Sequence, residues 1–231
     1  MAIEDLGVVL AHGAWADGSS WARVITALDA EGIKAVAAPL PLTSLADDVA
    51  ALNRALERVE GDIVLTGHAY AGAVIAEAPS PRVKALVYVA ALAPDEGETV
   101  AEMFYRSPPH PFAPKLAPDA SGLIWLPESA FASAFAQCAR TQDLAVLAAV
   151  QRPISPACIT VPVGRPRWKD VPSWFLVAED DRMIAPGTQR FMAARMQATV
   201  RSHPVDHTPL VSAPASVADI IKDAIHRVTL D

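Results

Sequence analysis

The chain predicts an α/β fold: a mostly parallel six-stranded sheet with helices on both faces and a small helical cap. Three observations carry this. Short apolar runs alternate with amphipathic stretches, the pattern of strands buried on both faces and joined by crossover helices. The length of 231 residues suits one such domain, and 52% hydrophobic against 19% charged residues is enough for a large core. Asp62-Ile63-Val64-Leu65-Thr66-Gly67-His68-Ala69-Tyr70-Ala71-Gly72-Ala73-Val74-Ile75 reads as a buried strand, a tight turn and a helix.

In chain order, strands are expected over residues 7–11, 34–37, 62–66, 85–90, 174–178 and 200–202, each a short apolar run. Helices are expected over 20–31, 44–59, 71–78, 185–196 and 213–228. The second of these starts at Ser44, an N-cap type, with Asp47 and Asp48 at the positive end of the helix dipole. Its Leu45, Val49, Leu52 and Leu56 repeat at helical spacing and should face the sheet. More than eighty residues between Ala90 and Trp174 show no clear strand. They begin Pro-rich, as in Ser107-Pro108-Pro109-His110-Pro111, then show helical patterns at 128–139 and 141–150, with Asp143 suited to a helix start. An insertion of this length at a sheet's carboxyl edge usually forms a lid over a pocket. The division expected is therefore a core of 1–94 and 171–231 with a cap at 95–170.

A net charge of -7 without a basic stripe argues against nucleic acid or an anionic membrane as partner. Cys138 and Cys158 match no metal or redox spacing and are expected as buried or half-buried free thiols within the cap. Met1-Ala2-Ile3-Glu4-Asp5-Leu6 is acidic and resembles no leader, and no apolar run approaches about 18 residues. The default compartment is the cytoplasm. The Ala-rich cap helices could face the pocket, the core or a second copy, so a homodimer stays open.

The strand-turn-helix at Gly67-His68-Ala69-Tyr70-Ala71-Gly72 has the frame of a nucleophile elbow, Gly-x-Ser-x-Gly, in which a strained turn lifts a serine oxygen above the sheet edge. The serine position holds Ala69 and the second glycine position holds Ala71. A methyl group cannot attack a carbonyl, so the active-site address is clear and the reaction is open.

With Leu10-Ala11-His12-Gly13-Ala14-Trp15-Ala16-Asp17-Gly18-Ser19-Ser20-Trp21, this elbow resembles the α/β-hydrolase superfamily. More narrowly it is similar to the small bacterial esterase-like branch, akin to plant methyl-ester hydrolases and hydroxynitrile lyases. The likeness spans nearly the whole chain and includes Ala93-Pro94-Asp95-Glu96-Gly97, the run from Trp168 to Pro186, and His207-Thr208-Pro209-Leu210. That family orders its triad nucleophile, acid, histidine. The resemblance implies Asp181 as the acid, with Asp180 as runner-up, and His207 as the histidine. His203 lies at a strand end and should point elsewhere, and Asp206 could tune His207 by its charge. The family's oxyanion hole uses two backbone N–H groups, here those of Tyr70 and Ala14. His12 and His68 flank the site as substrate contacts or as braces of the loops. Trp15, Tyr70, Phe104, Trp125, Phe131 and Phe135 are candidate pocket walls, Trp15 and Trp125 foremost, or plain core. No cofactor is implied, and no metal, since no spacing such as His-x-x-x-His occurs.

Three readings remain open for a partner that is a small-molecule substrate or ligand. The chain is an esterase-like hydrolase of a small, largely apolar ester or carbonyl compound that has lost its serine, by design or by descent. Or the Asp181–His207 dyad does lyase-type or cofactor-free oxygenase-type work as a general base. Or the fold only binds its ligand.

Overall fold

The structure, a computed structural model, describes residues 6–230; the acidic N-terminus at Met1–Asp5 lies outside the described residues. Six strands pair in parallel in the order β2-β1-β3-β4-β5-β6. They are β1 Leu6–Ala11, β2 Ala35–Ala38, β3 Asp62–His68, β4 Val83–Val89, β5 Ser173–Ala178 and β6 Thr199–His203. Every residue of β1 and β5 is buried, and β3 and β4 are buried throughout except Asp62 and Lys84. These central strands therefore read as unbroken apolar runs. The edge strands β2 and β6 are only partly covered, and β6 is mostly polar.

The helices among the described residues are α1 Ala22–Asp29, α2 Leu45–Leu56, α3 Ala71–Ala76, α4 Val100–Phe104, α5 Glu128–Ala130, α6 Thr141–Val150, α7 Pro186–Arg195, α8 Pro209–Ser212 and α9 Pro214–Leu230. The helix α1, which joins β1 to β2, packs against the C-terminal helix α9, and α2 packs against α3. Ser44 caps α2 as expected, its hydroxyl accepting from the Asp47 N–H at 3.1 Å. Leu45, Leu52 and Leu56 of α2 are buried, each contributing roughly 1.5–3 kcal/mol of apolar transfer.

Several expectations are corrected. The helix expected over 128–139 is one turn, α5, followed by a π-turn at Phe131–Phe135. The chain breaks at Ala136 (φ -147°, ψ 50°) because tertiary partners claim its backbone. The Phe135 carbonyl accepts from the Thr208 hydroxyl at 2.6 Å, and the Cys138 N–H donates to Asp206 at 2.8 Å. Cys138 is exposed, whereas Cys158 is buried; both are free thiols. The helix α4 was not expected, although Thr99 and Glu102 form a complete capping box at its start.

The insert between β4 and β5 is tied to the core by polar contacts. Arg23 of α1 makes a two-pronged 2.9 Å contact with Asp143 of α6 and donates to the Val211 carbonyl at 2.8 Å. The Trp15 N–H donates to the Arg152 carbonyl at 3.1 Å, and the Ser155 N–H to the Leu42 carbonyl at 3.0 Å. No helix among the described residues is long and apolar enough to cross a membrane.

Candidate active site

The chain runs from β1 outward to β2 and then crosses back to β3 on the other side of β1. Parallel sheets bind ligands at the carboxyl ends of the strands where the order reverses. The loop after β1, with Gly13, Ala14 and Trp15, and the turn after β3, with Ala69, both stand at that point. Backbone strain gathers there as well. Of the five non-glycine residues with positive φ among the described residues, Trp15 (58°), Ala69 (50°) and Ala90 (44°) each follow a strand, and Leu42 (60°) lies just beyond β2.

Ala69 thus occupies a strained elbow. The turn is tight because its neighbours are small. A Cβ on Gly67 would lie 2.8 Å from the Ala71 carbonyl oxygen, and a Cβ on Gly72 would collide with that of Leu92. A Cβ on Gly13 would lie 2.9 Å from the Ala69 methyl, so the β1 loop comes close to the elbow. Ala14 and Tyr70 line the same cavity as Ala69, and among the described residues neither backbone N–H has an acceptor.

His207 follows β6 and is buried. Its Nδ1–H donates to Asp181 Oδ2 at 2.9 Å, which leaves the Nε2 lone pair free. Asp181 is fixed by three further donors: the Met183 N–H at 2.7 Å, the Ile184 N–H at 2.9 Å and the Gln189 amide at 2.7 Å. Asp180 is exposed and makes no contact with the histidine; its carbonyl accepts from Gln137. His203 sits at the half-covered end of β6, away from the cavity lining. Asp206 points at the insert, accepting from Cys138, Thr208 and Ser212.

His68 and His12 are fully buried behind the site and do not line the cavity. His68 donates Nε2–H to the His207 carbonyl at 2.7 Å and so braces the histidine loop. Burial, then the nearby His207, pushes its pKa down to about 3, so it stays neutral. His12 donates Nδ1–H to the Gly13 carbonyl at 3.0 Å, and burial lowers its pKa too.

The cavity encloses about 640 Å³ of non-atom space, open solvent at its mouth included. Trp15 and Phe104 line it. The insert supplies further walls that the sequence did not single out, among them Val100, Ile124, Ile154 and Ile159. Phe131 and Phe135 are fully buried behind it, with Phe135 packed on Trp15 and His207. Trp125 is 45% exposed, bonded through Nε1 to Asp119 at 3.0 Å, and lies off the cavity. The polar atoms of Trp15 and Tyr70 are occupied elsewhere. Trp15 Nε1–H donates to the Ile124 carbonyl at 3.0 Å, and the Tyr70 hydroxyl to Asp48 at 2.7 Å. The inner wall is therefore apolar around one imidazole and two backbone N–H groups.

Gln189 also escaped notice in the sequence, and Asp48 was expected only as a charge at the start of α2. Gln189 ties Asp181 to the Ala178 N–H of β5, and Asp48 accepts from the Leu42 N–H and the Tyr70 hydroxyl. Neither has a motif; each is recognisable only once the fold brings its partners together.

This arrangement is that of an α/β-hydrolase fold. A profile described as the alpha/beta hydrolase family matches residues 8–220, and the chain belongs to that family. Among solved structures it is similar to polyneuridine aldehyde esterase, at 17% identity and a TM-score of 0.81, covering 95% of this chain and 98% of that one. It is similar to a pyrethroid hydrolase from Sphingobium faniae JZ-2, at 21% identity and a TM-score of 0.78, over 94% and 96% of the two chains. A methylesterase from Arabidopsis, MES16, matches at 17% identity and a TM-score of 0.77, over 96% and 99%. No curated protein sequence matches.

Proposed function

We propose that this chain is an enzyme of the esterase-like branch that acts on a small, largely apolar ester or other carbonyl compound without a covalent intermediate. The buried Asp181–His207 pair beside a strained, nucleophile-free elbow is the observation that carries this reading. His207 Nε2 is the general base, Asp181 holds its tautomer and balances the imidazolium, and the Ala14 and Tyr70 N–H groups hold the developing oxyanion. The insert acts as the cap. In the hydrolytic form, Nε2 takes a proton from water as that water adds to the carbonyl. The tetrahedral oxyanion then collapses and expels the alkoxide, which recovers the proton from the imidazolium.

The test is hydrolysis of short p-nitrophenyl esters and strained lactones by the native chain and by His207→Ala. Slow turnover that vanishes in the variant is expected. Equal rates in both folded proteins would overturn the reading.

The apolar inner wall favours a second form of the same chemistry. With the Trp15 and Tyr70 polar atoms engaged, the lining side chains among the described residues that keep a polar atom for water are His207 and, toward the outer end, Tyr105. His207 would then take a proton from carbon next to a carbonyl, as a lyase does. Exchange of α-hydrogens of an apolar ketone in D₂O, followed by NMR and lost in His207→Ala, would select this form.

A further inference from the structure

An outer recess adjoins the apolar cavity, and Phe104, Tyr105 and Leu116 line both. The charged groups lining that recess are Lys115 and Arg182, with His110 a third basic side chain and no Asp or Glu among the lining residues. This is unexpected in a chain of net charge -7. Asp181, next to Arg182, is turned inward to His207 and held by four donors.

Arg182 is held in place. One guanidinium nitrogen donates to the Ser133 carbonyl at 2.8 Å, and the group lies 4.9 Å from the centre of the Phe112 ring. Its other N–H groups have no acceptor among the described residues. Lys115 is exposed and has no carboxylate partner among the described residues. The proline-rich run Ser107-Pro108-Pro109-His110-Pro111 also lines the recess, and prolines keep such a wall stiff at small entropic cost.

We infer that the outer recess is an anion subsite and that the ligand is amphipathic, with an apolar body in the inner cavity and a carboxylate-type terminus at Lys115 and Arg182. The inference rests on reading the inner cavity as the seat of the substrate's carbonyl-bearing body. It narrows the substrate class to monoanionic carbonyl compounds. Charge-assisted hydrogen bonds from a held guanidinium and a free ammonium give the discrimination.

Calorimetric titration of the native chain with octanoate and with its neutral counterpart octanamide tests this. Octanoate is expected to bind about tenfold tighter or better, an advantage of the size that one good charged contact gives. Lys115→Glu, at an exposed position, should remove the preference, Arg182→Gln should reduce it, and rising ionic strength should erode it. Equal affinities, a preference untouched by both substitutions, or no binding of either ligand would overturn the subsite. Turnover plays no part in the readout. An inactive protein that prefers octanoate would retire the enzymatic reading and keep the subsite, and an active one without the preference would do the reverse.

Discussion

Ala69 holds a backbone conformation that a non-glycine residue adopts only under constraint, φ 50°, and offers a methyl group to the cavity. A serine at this position would have its oxygen presented to the cavity by the same strain. Asp181 is fixed by four donors, and its bond to His207 Nδ1 aims the lone pair of Nε2 outward. Asp181→Asn would leave the fold and remove the acceptor that sets the tautomer. A loss on the order of 10⁴ in His207-dependent turnover is expected, as for other triads that lose the acid's charge. His68 has a different consequence. Its pKa is 6.5 unfolded and about 3 folded, so the unfolded chain binds the extra proton between those values. The stability His68 lends is complete above pH 6.5 and is lost as the pH falls toward 3, by about 1.4 kcal/mol per pH unit. Urea unfolding between pH 7 and pH 5 should show this slope, and His68→Gln, which keeps a donor for the His207 carbonyl, should flatten it.

At the scale of elements, the elbow and the insert behave differently. The elbow is built from close approaches, and Gly72 is the tightest because a side chain there would meet the Leu92 carbonyl. Gly72→Ala should cost roughly 1–3 kcal/mol or more in urea unfolding, as overpacking does; a neutral result would mean that the β4 loop yields. Beyond its apolar packing the insert is held by polar contacts, so Arg23→Ala, which cuts the tie to Asp143 and Val211, should cost about 1 kcal/mol and raise KM more than it lowers kcat. The same contrast explains what could be read from sequence. The central strands β1, β3, β4 and β5 were legible because burial makes each one a largely apolar run. The loops of the site were legible because short motifs follow β1, β3, β5 and β6. The insert was not, because its walls come from scattered residues such as Val100, Ile124 and Ile159, which share no period. The π-turn at Phe131–Phe135 has no sequence signal, since Thr208 and Asp206 create it from a distance. The capping box at Thr99 and Glu102 was a local signal for α4 that went unread.

At the scale of the molecule, the switch in strand order sets the address and the insert sets the contents of the cavity. A buried carboxylate connects the two. Asp48 of α2 accepts from the Tyr70 hydroxyl at the elbow and the Leu42 N–H, and the Cys158 thiol of the insert lies 3.6 Å away. Burial raises its pKa despite these donors. The central claim is that acid, base and oxyanion donors stand assembled around an elbow that lacks only its nucleophile. Ester hydrolysis by the native chain, Ala69→Ser and Ala69→Ser/His207→Ala, side by side on p-nitrophenyl butyrate, tests it most directly. The account predicts a burst and a gain on the order of 10²-fold or more in the serine variant, within the ~10⁶ a triad serine can be worth, and loss of that gain in the double variant. A folded Ala69→Ser protein no faster than the native chain would contradict it.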